Sequence, residues 1–180
     1  MEKFKLKHDV FKHLYKIPKE NLEKHSNSLS KEAFTFLESF GVSSFSSALF
    51  YSVDPTSTKE LLKDWNPNWE TCSPMIRSAF GSIFYFQNKK IWQLDPVFQV
   101  QKQLPMDTNI FLNVFLCNDA FLNSAFYKDI FDQVVDKLSP PAIDEVYAFV
   151  PALALGGSKT PESVQKVKLK EHLLLLSQLK

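Results

Sequence analysis

An α+β domain is expected from this chain, with an antiparallel β-meander at its centre and helices from both ends of the sequence packed over it. Two patterns lead there. Short β-type runs follow one another from Met75 to Leu104 at hairpin spacing, while apolar residues on either side recur at helical spacings of three and four. A third observation sets the domain count: no repeat, low-complexity linker or shift in composition divides the 180 residues. That length buries a substantial core in a single domain.

The N-terminal elements come first. Val10, Phe11, Leu14 and Tyr15 recur at i, i+1, i+4 and i+5, which predicts a short amphipathic helix ending near Pro18. Residues 1–28 thus read as a basic helical extension: seven Lys stand against four acids between Met1 and His25. A second helix is expected after the Ser28–Ser30 cap region, burying Ala33, Phe34, Leu37 and Phe40 and stopping at Gly41. Phe45 to Val53 reads as a strand and Thr56 to Trp65 as a short helix. The Asn66-Pro67-Asn68 triplet then reads as a turn.

The β signal is strongest from Ile76 to Phe86, where two short runs flank Gly81. Gln87-Asn88-Lys89-Lys90 predicts a hairpin turn, followed by strands over Ile91–Leu94 and Val97–Leu104. Asp95-Pro96 between them is turn chemistry, because proline fixes φ and the carboxylate bonds the local backbone. Helix returns over Asp107–Cys117. Asn118 or Asp119 then caps one long helix whose buried face includes Phe121, Leu122, Phe126, Ile130, Phe131, Val134 and Leu138. Pro140-Pro141 ends it. Val146 to Val150 reads as a buried strand, Gly156-Gly157 as a loop hinge, and Lys170 to Leu179 as a closing helix.

Composition excludes several classes of function. The net charge of +1 gives no overall pull toward nucleic acid or anionic membrane. Cys72 and Cys117 stand without C-x-x-C or His spacing, which predicts reduced thiols rather than a disulfide or a zinc site. The N-terminus has no apolar run of signal-peptide type, and Leu173–Leu176 is far too short to cross a bilayer. A cytoplasmic protein is the expectation. Phe supplies 17 residues, and the simplest account is a Phe-rich core.

Catalytic patterns are weak. His172 follows Glu171, but adjacent helical side chains diverge by about 100°, so the acid does not orient the imidazole. His8, His13 and His25 sit in the basic N-terminal segment at poor metal spacing and read as solvent-facing. Gly156-Gly157-Ser158-Lys159-Thr160 has the residue types of a phosphate loop but not the glycine spacing. Asp54-Pro55 and Asp95-Pro96 read as turns rather than paired catalytic carboxylates. Trp65, Trp69, Trp92 and Tyr85 offer stacking surfaces, yet Arg77 with Lys89-Lys90 is a thin cationic supply for nucleic acid. No catalytic residue, cofactor site or metal site is assigned.

Two motifs say more. Asp144-Glu-Val-Tyr-Ala-Phe-Val-Pro-Ala-Leu-Ala-Leu-Gly-Gly157, then a loop, then Lys166-Val-Lys-Leu-Lys-Glu-His-Leu-Leu-Leu-Leu-Ser-Gln-Leu179 resemble the bacterial type VI secretion DNase-immunity family, which has an N-terminal GAD-like region. Arg77–Phe86 with Leu94-Asp95-Pro96, and Phe40-Gly41 with Phe50–Pro55, look like its earlier segments. The resemblance runs from about residue 29 to the end. It implies a GAD-like region over about 29–105 and a C-terminal region over about 106–180. It further implies a non-enzymatic protein that binds and neutralises a cognate toxin stoichiometrically, without cofactor, membrane or direct nucleic-acid contact. Inhibition would come from covering the toxin's active site or from keeping the toxin out of its active fold.

Charge is distributed in a way that suits such a partner. Asp119 to Glu145 carries six acids against Lys128 and Lys137, while both ends of the chain are basic. Asp129, Asp132 and Asp136 fall at i, i+3 and i+7, on one face of the expected helix and opposite its apolar face. A DNase presents positive charge to its substrate, so these three residues are the expected partner-binding positions. The bland account is a solvated outer helix face. An account from another class is a nucleic-acid-associated or regulatory module using the basic ends and the aromatics. A hydrolase lacks a nameable nucleophile–base pair.

Overall fold

In the computed structural model, which describes residues 1–179, the chain runs α1 (Glu2–Lys7), β1 (Phe11–Tyr15), α2 (Lys19–Lys24), α3 (Lys31–Phe40), β2 (Val42–Phe45) and β3 (Phe50–Ser52). Next come α4 (Pro55–Thr58), β4 (Ser73–Ser78), β5 (Ile83–Gln87), β6 (Lys90–Asp95) and β7 (Val100–Gln103). The remainder is α5 (Thr108–Ile110), α6 (Asp119–Phe126), α7 (Lys128–Leu138), β8 (Glu145–Phe149), β9 (Val164–Lys168) and α8 (Leu169–Ser177). β1 to β7 form one antiparallel meander in sequence order, and β8–β9 form a separate hairpin. The expected α+β arrangement is the observed one.

Strand alternation divides the sheet into two faces. Phe45, Phe50, Ile76, Phe84 and Phe86 point to one face, where Phe4, Phe36, Leu37, Phe111 and Phe126 join them in the main core. Phe45 stacks on Phe50 at 5.2 Å, and Phe84 on Phe126 at 4.9 Å. Ile83, Tyr85 and Leu94 point the other way, into a second core closed by Leu62, Trp65, Val146, Leu169 and Leu173. The C-terminal hairpin and α8 therefore cover the second face only over its β4–β6 part.

Several expectations are corrected. Residues 10–15 are not helical: Phe11–Tyr15 is the first strand of the sheet, with Phe11 opposite Phe45 and Lys12 opposite Ser44. Phe11 and Leu14 satisfy a helical spacing, and Phe-Lys-His-Leu-Tyr lacks the alternation of a half-buried strand; pairing with the edge of β2 is what makes it one. Phe4, Ile17 and Leu22 from this same N-terminal segment enter the main core. Phe45–Val53 is a hairpin rather than one strand. Its turn passes through Ser46, Ser47 and Ala48 at φ 50, 57 and 73, with neither Gly nor Pro to announce it.

Ser30 caps α3 as expected, accepting from Ala33 N, although Phe36 rather than Phe34 completes the buried face. Asn88 and Lys89, at φ 52 and 59, make the two-residue hairpin turn. The last meander strand is only Val100–Gln103, because Gln99 lies at φ 57. After α5 the chain continues in a π-helical turn over Phe111–Phe115.

The long helix is interrupted. Asn118 caps α6 by accepting from Phe121 N at 3.0 Å, but Tyr127 stands in the left-handed region at φ 57 and separates α6 from α7. Its buried ring packs edge-on against Phe80 and Phe149, and its hydroxyl donates to Asp95 Oδ2 at 2.6 Å. That anchor outweighs helix continuity. Val164–Lys168 is a strand that hydrophobic patterning had not shown, pairing Val146 with Val167 and Phe149 with Val164. Val150, expected in the buried strand, is exposed just beyond β8, and Leu155 is exposed as well.

The Gly156-Gly157 pair has two separate roles. Gly156 sits at φ 81 with open space where a Cβ would go, whereas a Cβ on Gly157 would lie 1.8 Å from Pro151 O. Gly156→Ala is expected to cost about 1–2 kcal/mol from its backbone conformation alone. Gly157→Ala should cost more, because backbone atoms must move. Urea denaturation of both variants checks the order.

Candidate functional site

Arg77 is the most deeply buried charged side chain among the described residues, at 1% exposure. It lies on the second face of the sheet, in a row of cross-strand partners that runs Lys12, Ser44, Tyr51, Arg77. Its guanidinium donates to Ser78 O and Glu145 O at 3.2 Å, and to Ile143 O at 3.1 Å and Ala142 O at 3.5 Å. The Tyr51 ring stacks 4.5 Å from it, and the Tyr51 hydroxyl donates to Pro141 O. Residues 141–145, the lead-in to β8, are thus clamped onto the sheet by one cation and one phenol. Burial lowers the Arg77 pKa to about 10, with Tyr51 and Asp144 opposing, so the group stays charged at neutral pH.

Beyond that clamp, toward β1, the second face is open. Leu14, Ser44, Ala48 and Tyr51 floor a groove of about 710 Å³, with β1 as one rim and Pro140–Ile143 as the other. Among the described residues, Lys12 is the single charged one lining it. Val10, Phe11 and Tyr15 are exposed along its β1 rim.

α7 leads directly into the Pro140 rim. It buries Ile130, Phe131 and Val134 and leaves Asp129, Asp132 and Asp136 on its outer face. The acidic segment is partly neutralised by the chain's own bases: Asp132 pairs with Lys128, Asp119 with Lys7 at 3.5 Å, and Asp144 with Lys168 at 2.6 Å. Asp129 and Asp136 make no ion pair among the described residues.

The histidines are corrected. His8 and His25 are buried, not solvent-facing, while His13 remains exposed. His8 Nε2 lies 2.9 Å from Leu116 O and must donate to it, so Nδ1 accepts from Ser46 Oγ at 3.0 Å. His8 in this way ties α1 to the left-handed turn between β2 and β3. His25 Nδ1 meets Ser73 Oγ at 2.7 Å. Burial lowers the pKa of both, and also that of His172 at the edge of the second core.

Trp65 and Tyr85 are buried in that second core, and Arg77 in its clamp, which withdraws them from any nucleic-acid platform. Burial raises the Cys72 thiol to about 12, and both cysteines are free. Among the described residues no cluster of three or more His, Cys, Asp or Glu is placed to hold a metal, and no helix is long and apolar enough to cross a membrane. The groove and the Arg77 clamp escaped sequence reasoning.

Comparison with known proteins assigns a class to the C-terminal part. Residues 108–180 match the family model described as T6SS immunity protein Tdi1, C-terminal, so that span is a type VI secretion immunity-family domain. It takes in α5 to α8, including both motifs and the acidic helix. The whole chain is similar in fold to the crystal structure of Atu4351 from Agrobacterium tumefaciens, with a TM-score of 0.75 at 14% identity, covering 98% of this chain and 88% of that one. No curated protein matches the chain.

Arg77→Met should lower unfolding stability by about 2–3 kcal/mol in urea titration, since it removes a buried donor from four carbonyls, of which Ser78 O and Ala142 O keep a backbone partner. The histidines set a pH dependence. With folded pKa values below the ordinary 6.5, the unfolded chain binds more protons just below that pH. Their stabilisation is therefore complete above about pH 6.5 and lost as pH falls toward the folded values. The thermal midpoint should drop between pH 7.5 and 5, and His25→Asn should flatten part of that slope.

Proposed function

We propose that this chain neutralises a cognate DNase effector of type VI secretion by forming a stoichiometric complex in the cytoplasm, without turnover or cofactor. The immunity domain over residues 108–180 is the observation that supports this reading. An immunity domain implies a toxin partner, and a nuclease partner accounts for an acidic helix on an otherwise near-neutral protein. In this reading residues 29–105 are the GAD-like region, residues 106–180 the family's C-terminal region, and residues 1–28 an N-terminal extension.

Asp129, Asp132 and Asp136 are the proposed partner-binding residues. Family motifs dominated by core and turn positions are poor places for toxin discrimination, whereas these exposed carboxylates vary without disturbing the core. Lys128 draws Asp132 toward itself, so Asp129 and Asp136 carry most of the attraction for a basic surface. Charges at a rim act mainly by accelerating association and selecting partners.

The test is co-expression with the product of the adjacent gene, followed by pull-down and a DNA-degradation assay. A one-to-one complex that silences nuclease activity is expected. A neighbour that neither binds nor kills refutes the reading. Asp129→Lys, Asp132→Lys and Asp136→Lys combined should abolish protection while leaving the thermal midpoint nearly unchanged. Full protection by that triple variant rules the acidic face out.

A further inference from the structure

The meander has two open edges, and they are built differently. β1 is hydrogen-bonded to β2 alone, as β7 is to β6 alone. Unpaired edge N–H and C=O groups template another strand unless charge, proline or a covering segment blunts them. β7 reads Val100-Gln-Lys-Gln103, and Gln101 is tied inward by a 2.5 Å bond to Trp65 O. β1 likewise carries one lysine, Lys12, and its pairing shifts register between His13 and Tyr15; what sets this edge apart is the groove beside it. Val10 is 82% exposed, Phe11 42% and Tyr15 44%, and this edge borders the open groove.

We propose that β1 and its groove receive an extended segment of the cognate toxin, which joins the sheet as an eighth strand beside β1. This rests on the immunity reading above and says how the toxin is held. The five residues of β1 present about 17 Å of backbone, enough for a toxin segment of five or six residues. Main-chain bonding supplies affinity, and the groove supplies selection through alternate side chains. Its floor of Leu14, Ala48 and Tyr51 accepts apolar groups, and about 710 Å³ accommodates several.

Charge specifies the occupant further. Lys12 is the groove's one charge, and neither Lys12 nor Lys16 has an ion-pair partner among the described residues. An acidic side chain on the incoming strand satisfies them. The groove is also continuous with the acidic helix: Asp136 lies four residues before Pro140, a chain reach of at most about 14 Å. A toxin seated here would place a basic surface against α7 and an acidic strand against β1. Opposite charges on the two contacts fix its orientation.

Hydrogen exchange on the full chain, alone and with the product of the adjacent gene, tests this directly. Amides of residues 10–16 should slow by about tenfold or more in the complex. Lys12→Glu with Lys16→Glu should weaken binding by about tenfold while leaving the thermal midpoint unchanged, since both side chains are exposed. If the toxin is bound and silenced with exchange at 10–16 and the double variant's affinity both unaltered, the edge proposal falls and the immunity reading stands. Absence of any complex removes both. Protection of 10–16 in the isolated chain that grows with concentration identifies a second copy as the occupant and overturns the proposal.

Discussion

The guanidinium of Arg77 is the constraint on which the architecture turns. A cation buried on the face of a sheet is costly unless its donors are satisfied, and here the satisfying groups are main-chain carbonyls from a segment more than sixty residues away in sequence. One side chain thereby dictates where the chain enters β8. That fixes the second core, in which Val146, Leu169 and Leu173 close over Ile83 and Leu94. It also fixes where coverage of that face stops, and so the groove exists. The open part of the sheet is the counterpart of the clamp.

The left-handed residues follow the same logic at smaller scale. Tyr127 leaves the helical region because its ring and hydroxyl have fixed partners in Phe80, Phe149 and Asp95. The consequence is that α7 sets its own direction, independent of α6, and delivers its outer face to the rim of the groove. Lys159 then lies 4.8 Å over the Tyr127 ring and binds the loop after Gly157 to the same anchor. Ser46, at φ 50, meets His8 in a comparable way. In both places a polar contact from a distant element holds a backbone conformation that the local sequence disfavours.

This explains what the sequence disclosed. The meander was legible because the turn at Asn88-Lys89 and the Asp95-Pro96 corner are local chemistry, and the runs between them are β-branched and aromatic. The cap of α3 at Ser30 was legible for the same reason. Residues 11–15 were misread because their apolar spacing is helical and does not alternate, and only pairing with β2 makes them a strand. The hairpin between Phe45 and Phe50, the break at Tyr127 and the buried histidines all depend on partners 30 or more residues away. As for the site, the acidic face of α7 was readable from spacing. Its partial neutralisation by Lys128 and the groove beside it belong to tertiary structure.

The clamp also bears on how such a domain travels between proteins. The carbonyls at 142, 143 and 145 are bonded by a donor that lies outside the stretch from 108 to 180. That stretch carries its own hairpin and helices but not its own cation. Moved onto a different scaffold, it needs a host sheet offering a guanidinium in the same place, with an aromatic ring beside it. The boundary drawn by sequence kinship therefore cuts through a unit that chemistry keeps whole.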